Sequence, residues 1–476
     1  MFKIKHKHHR INIKLLYVFL VFVTMAVIAD QVKLHREKDK IVDLPKIKVK
    51  GVLRALTLYS STSYFIYRDK EMGYEYEICS QLASSLGLKL KMVIAPNQKA
   101  MAEMLERGEG DLIAYNIPIT LKNKNKYLFC GREYLTHQVL VQQKKAPSEL
   151  LTDVTDLIGK KVMVQSNTKY ETRLNHLNNE LGGGIQIRKI PEDSLSVEDM
   201  IQMVAMGQAD YTIADNNIAQ FNKTFYKNIN TSLMLSFNQS SFWVVRKTSP
   251  LLASAVNEWF RTNVQSTKYL STSKRYFEIS KGASPLLTAG LKIRKDGSIS
   301  PYDALFKKHA AKIGWDWRLL SSIAYQESNF DPTATNWTGA SGLMQIMPKT
   351  ARLLGLNTEK LLDAETSIIG ATRLLQNYEH NLSEVTNKEQ RQKMVLASYN
   401  CGFGHILDAR ALARKHKKNP NRWDNDNVEK FIYLKSKPEY YQDPVCKQGY
   451  LRGSETVSFV TEVWIRYRYY AKKTAL

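Results

Sequence analysis

Glu327 stands where acid–base chemistry can be done. The segment Trp317 to Ser328 reads as a helix with Asp316 at its N-cap. Leu320, Ile323 and Ala324 form its apolar stripe. Glu327 follows Ile323 by four residues and Ala324 by three, so it points along the same stripe. A carboxylate on an apolar face is desolvated and its pKa rises. That is what a general acid needs near neutrality. Position alone is equally compatible with a frayed helix end where Glu327 turns to solvent. The neighbouring segments favour chemistry. Gly339 to Pro348 (GASGLMQIMP) is dense in glycine and then apolar. Glycine permits tight turns and close approach of backbone to ligand. Gln345 offers a donor and an acceptor suited to a sugar acetamide or hydroxyl. Met344 and Met347 read as gap-filling core residues. Ala397 to Gly402 (ASYNCG) ends a helix with Tyr399 and Asn400. The Tyr399 phenol can donate to a glycosidic oxygen or an acetamide, or serve as one core tyrosine among 25. Glu455 lies in the first turn of the terminal helix, a place the helix dipole favours for any acid.

Positioning these groups takes a scaffold of helices. The periodicity predicts them at Asp303–Ile313, Trp317–Ser328, Pro348–Leu354, Ala364–His380, Gln392–Tyr399 and Phe403–Lys415, so residues 298–476 form a mostly α domain.

Together these segments resemble the soluble-lytic-transglycosylase family, related in fold to goose-type lysozymes. Glu327-Ser328 matches the family's catalytic Glu-Ser, Gly342 to Pro348 its second motif, Ala397 to Gly402 its Ala-x-Tyr-Asn-x-Gly motif, and Glu455-Thr456 its last. The resemblance implies Glu327 as the single acid/base, with Ser328, Asn336, Gln345, Met347, Tyr399, Asn400 and Glu455 around the substrate. Asn336 departs from the serine common in the cleft of relatives, and Cys401 fills the variable place of the tyrosine motif. The implied substrate is the glycan strand of bacterial peptidoglycan. No metal or organic cofactor is implied.

The preceding region, 51–268, has a different texture. Leu53–Leu58 and Leu88–Ala95 read as strands, and Tyr74–Leu86 as a helix stopped by Gly87. Leu105 to Asn116 echoes Val204 to Asn216: helix end, glycine, buried strand, polar finish. The pattern is α/β with a mainly parallel sheet, and two similar lobes fit a clamshell. Gly73 to Ile78, Gly110 to Ala114, Gly159 to Val162 and Gly207 to Asn216 resemble the extracellular solute-binding family associated with amino-acid uptake. That family commonly has an arginine soon after the threonine matching Thr120. Here Lys122, Lys124 and Lys126 stand there instead, and lysine lacks the bidentate fork. Asp215 matches the position that takes an α-amino group, so Asp215 and Lys122 are the candidate clamshell-ligand residues. The implied fold is a bilobal, periplasmic-binding-protein-like α/β domain followed by a mainly α, lysozyme-like domain. This order looks like the F type of membrane-bound lytic murein transglycosylases. It suggests a clamshell that senses a muropeptide and regulates the enzyme. Residues 269–297 read as the linker.

The N-terminus sets the compartment. Residues 1–14 carry basic residues and no acid, and Leu15 to Ala29 is uncharged and apolar. That is the form of a signal peptide, and the run falls short of the roughly 20 residues of a comfortable span. A retained anchor over 1–29 is the alternative. Both readings export the chain to the periplasm with membrane association, the outer membrane by resemblance. Residues 30–50 read as a tether. The net charge of +24 favours an anionic partner. No zinc-finger, zipper or helix-turn-helix pattern points to nucleic acid. Four cysteines, Cys79, Cys130, Cys401 and Cys446, allow one bridge in each domain or four free thiols.

Overall fold

The computed structural model describes residues 42–144, 146–191, 195–279 and 293–474. The apolar stretch 15–29 and residues 280–292 of the expected 269–297 linker lie outside these. Among the described residues no helix is long and apolar enough to cross a membrane.

Among the described residues the α/β half contains twelve strands: β1 (Val52–Thr57), β2 (Phe65–Tyr67), β3 (Lys70–Met72), β4 (Lys89–Ile94), β5 (Leu112–Pro118), β6 (Tyr127–Thr136), β7 (Gln138–Gln143), β8 (Lys161–Gln165), β9 (Gln186–Ile190), β10 (Tyr211–Asp215), β11 (Ile229–Asn230) and β12 (Gln239–Arg246). Ten of them form two five-stranded sheets, ordered β4-β1-β5-β12-β6 in lobe 1 and β11-β7-β10-β8-β9 in lobe 2, and β2 and β3 pair as a separate antiparallel hairpin. The chain crosses between lobes from β6 to β7 and returns from β11 to β12. Each return brings a strand in antiparallel: β12 against β5 and β6, and β7 against β10. The sheets are therefore mixed where a mainly parallel sheet was expected. The parallel pairs are those joined through helices, β1 with β4 and β5, and β8 with β9 and β10.

Two expected boundaries shift. The tether ends earlier than Lys50, because Leu44–Lys50 is a helix with Ile47 buried against lobe 1. Asp43 caps it, and its carboxylate also accepts from the Leu251 and Leu252 N–H groups. At the other end, the helix Thr267–Phe277 carries folded structure past residue 268, because Tyr269 and Tyr276 are buried in the lobe 1 core. All four cysteines are free thiols, Cys79, Cys130 and Cys401 buried and Cys446 half-buried.

The second half is helical, as the periodicity requires. Asp303–Lys312, Trp317–Ser328, Pro348–Leu353, Ala364–Asn381, Lys388–Cys401, Phe403–Lys415 and Gly453–Lys473 surround one core that includes Leu320, Ile323, Met344, Leu396 and Val463. Val428–Leu434 and Pro438–Tyr441 are further short helices that the sequence reading did not mark.

The helical domain touches both lobes. From lobe 1, Ser61 Oγ lies 3.1 Å from the Tyr450 hydroxyl, and the Tyr59 ring meets Tyr441 edge-on. From lobe 2, Glu198 accepts from Tyr450 at 2.7 Å, and Ser436 donates to Asp199 at 3.2 Å.

Candidate active site

Glu327 occupies the last turn of the helix Trp317–Ser328. The Asp316 side chain accepts from Arg318 N to start this helix, and Asn329, at φ 55°, ends it in the left-handed region. Ser328 Oγ donates to Leu343 O at 2.7 Å, tying the helix end to the glycine-rich loop. The Glu327 side chain is 6% exposed beside the buried stripe of Leu320, Ile323 and Ala324. Burial pushes its carboxyl above the ordinary value, although the Arg68 guanidinium pulls the other way. Desolvation is the stronger effect, so the residue retains the character of an acid.

The glycine-rich loop is shaped by close approach. Gly342 has φ 82°, and a Cβ there would lie 1.9 Å from Leu361 O, so no side chain fits. Gln345 is itself left-handed at φ 49°. Its Nε2 donates to Ala334 O and Gly342 O, both at 2.9 Å. Its Oε1 is buried with no hydrogen-bond partner among the described residues. Gln345 was expected to supply donor and acceptor alike; the fold uses its donors and leaves the acceptor open. The Tyr399 hydroxyl donates to Met344 O at 2.6 Å, so in this state it braces the loop. Asn400 Oδ1 accepts from Thr456 Oγ1 at 2.8 Å. Asn336 Oδ1 accepts from Thr338 and Ala340, organising its own turn. Met347 Sδ is 3.5 Å from Thr338 Oγ1.

A cavity of about 630 Å³ opens between the helical domain and the clamshell. Glu327, Asn336, Asn400 and Glu455 line it together. Gln345, Met347 and Tyr399 line a small adjoining recess that Arg68 shares.

Arg68 is the site residue that sequence reading missed. It sits with Asp69 in the two-residue turn between β2 and β3, both residues left-handed at φ 48° and 57°. The hairpin reaches out of lobe 1 into the helical domain. Arg68 Nη2 donates to both Glu327 oxygens, at 2.7 and 3.0 Å. Its Nε donates to Asn400 O at 3.1 Å and its Nη1 to Gln345 O at 2.8 Å. Its backbone N–H donates to Cys401 O at 3.0 Å. Gly402, at φ 101°, leaves room for this: a Cβ there would lie 3.3 Å from Arg68 Cα and 3.1 Å from Asp69 N. Burial holds His405 well below its usual pKa and hence neutral, and its Nε2 donates to Ile66 O at 2.9 Å, gripping the hairpin from the side. The acid is thus covered by the protein's own guanidinium.

In the clamshell, Asp215 is paired with Lys169 at 2.6 Å and not with Lys122. Lys122 is exposed on the helix Leu121–Lys126, which Thr120 caps. The two predicted ligand residues therefore form no joint site in this state.

A dry glutamic acid in the floor of a cleft, in a helical domain roofed by a two-lobed α/β module, is the arrangement of a glycan-cleaving enzyme joined to a solute-binding fold. Comparison with known families agrees. Residues 304–421 match the transglycosylase SLT domain, and residues 59–279 match the bacterial extracellular solute-binding proteins, family 3. Glu455 lies beyond the first of these matches. A membrane-bound lytic murein transglycosylase F of Pseudomonas fluorescens is 31% identical, over 89% of this chain and 86% of its own length. One from Desulfosudis oleivorans is 29% identical, over 90% and 92%. Among solved structures, an ancestral cationic amino-acid solute-binding protein matches 49% of this chain and 99% of its own, with 20% identity and a TM-score of 0.43. The chain belongs to the membrane-bound lytic murein transglycosylase F family, and it is a lytic transglycosylase acting on murein.

Proposed function

We propose that this chain cleaves the β-1,4 bond between N-acetylmuramic acid and N-acetylglucosamine and leaves 1,6-anhydro ends, with Glu327 as acid and then base. The observation that carries this reading is the raised pKa of the nearly dry Glu327 at the cavity wall. Protonated Glu327 gives its proton to the oxygen leaving the muramic C1. The substrate acetamide stabilises the cationic centre. The carboxylate so formed then takes the proton of the muramic C6 hydroxyl as that oxygen attacks C1. The open Gln345 Oε1 is an acceptor suited to the acetamide N–H. The other carboxylates of the cavity are already engaged: Glu455 is ion-paired with Arg452, and Glu462 accepts from Gln326. Glu327, 6% exposed against 37% for Glu455, is the drier of the two, which supports a single-acid lyase over a lysozyme-like hydrolase with a second base.

The clamshell is read as a regulator that binds a cell-wall fragment, and the Arg68 hairpin as its hold on the enzyme. The chain is read as exported, periplasmic and membrane-associated, in keeping with the membrane-bound relatives.

Digestion of purified peptidoglycan by the protein and by Glu327→Gln, with products weighed by mass spectrometry, tests the chemistry. Products one water lighter than hydrolytic fragments are expected, and the variant should make none. Ordinary reducing ends would establish the hydrolase instead.

A further inference from the structure

The cavity extends well past Glu327, to a wall built by lobe 2, and a cation stands at that end. Arg452 precedes the helix Gly453–Lys473, and its side chain is 11% exposed. Its Nη2 donates to Asn222 Oδ1 at 2.9 Å and to the Tyr226 hydroxyl at 3.2 Å. Its guanidinium carbon lies 4.2 Å from the centre of the Phe225 ring. Its Nε is 2.8 Å from Glu455 Oε1, an ion pair that does not meet hydrogen-bond geometry. Its Nη1 is buried and has no hydrogen-bond partner among the described residues. A charged donor left open in a buried site is costly unless something accepts from it. A guanidinium edge fixed in this way, with one nitrogen held and another open, suits a carboxylate.

The substrate supplies that group. A murein glycan carries, on its muramic lactyl ether, a peptide with free carboxylates. Resting on the transglycosylase reading above, we propose that the lobe 2 end of the cavity is a carboxylate subsite. There Arg452 takes the acidic peptide of the strand, so that peptide-bearing strands are preferred over naked ones. The fork is positioned by Asn222, Phe225 and Tyr226 of the clamshell, so the subsite belongs to neither domain alone. Glu455 sets its selectivity, since it occupies the Nε side and leaves only the Nη1 side for the ligand.

The experiment compares kcat/KM on peptide-bearing strands with that on strands stripped of peptide by an amidase. The full chain is used with Arg452 intact, as Arg452→Gln and as Arg452→Lys, each with and without Arg68→Ala. The preference for peptide-bearing strands should fall about tenfold in Arg452→Gln, mainly through KM, and by less in Arg452→Lys, which keeps the charge without the fork. A purely interdomain strut would lower both substrates equally, and that result overturns the subsite, as does an unchanged ratio. If Arg452→Gln fails to fold, the ratio in Arg452→Lys decides by the same criterion. If the parent protein makes no anhydro product from either strand, the transglycosylase reading falls, and the subsite with it. Anhydro product with an unaltered preference overturns the subsite alone.

Discussion

At the scale of the residue, the Arg68 guanidinium lies against the carboxyl that the proposed reaction needs. While Glu327 is ionised and held by Arg68 at 2.7 Å it has no proton to give, so only the protonated acid can donate to a glycosidic oxygen. Arg68→Ala is expected to raise turnover at neutral pH by about tenfold or more, the size of a modest coupling energy. The pH dependence has a definite sign. Glu327 has a raised pKa, so falling pH neutralises it and removes the ionic part of the Arg68 hold. The ratio of Arg68→Ala to wild-type turnover should therefore narrow as pH falls through the Glu327 pKa and widen above it, as a pH–rate profile would report. Glu327 itself was legible in the sequence, since cap, stripe and position fall within twelve residues of one helix. Arg68 was not, because it is 259 positions away and sits in a turn where an arginine normally means solvent. Its role arises only when one domain docks on the other, and no local period encodes that. Tyr399 shows a milder form of the same limit. Its motif marked it, but the partner of its hydroxyl, Met344 O, depends on how a distant loop folds back.

At the scale of the element, the helix Tyr74–Ser85 carries a buried acid of its own. Glu75 accepts from Trp243 Nε1 at 2.9 Å, and burial pushes its carboxyl up to about 8. Unfolded, it titrates near its ordinary 4.5. Between those values the unfolded chain loses a proton that the folded chain keeps. Stability should therefore decline as pH rises from about 4.5 to about 8, with the full penalty present above. Glu75→Gln keeps an acceptor for Trp243 and has no proton to lose. Its melting temperature relative to wild type should climb across that window and then level off. Elements with strong local signals matched their expected spans: Trp317–Ser328 and Phe403–Lys415 agree at both ends. The hairpin of β2 and β3 was missed, because each strand has three residues, too few for an alternation to register. The helix Leu44–Lys50 was hidden by its lysines, with Ile47 the one residue it buries.

At the scale of the whole molecule, the helical domain is held by both lobes at once. Lobe 1 contributes Arg68 and Ser61, and lobe 2 contributes Glu198, Asp199 and Asn222. A ligand that moves one lobe against the other cannot preserve all of these contacts. It can favour release only as far as it binds the moved state better. A muropeptide that binds the clamshell, seen by calorimetry, should bring wild-type turnover toward that of Arg68→Ala while leaving Arg68→Ala little changed. A panel of muropeptides with no binding and no activation would remove the regulatory reading. The two-domain plan was readable from the change of texture near residue 300. The way the domains clasp was not, since it rests on single polar contacts scattered across the chain.

The clasp of Asp43 on the Leu251 and Leu252 N–H groups fixes where the N-terminal end of the described chain leaves the body: on lobe 1, with Ile47 packed beneath it. A pull applied ahead of Val42 would enter the molecule at that short helix, and so at lobe 1, the lobe that carries the hairpin. In an anchored molecule the lobe that takes the pull would thus be the one whose hairpin lies on Glu327.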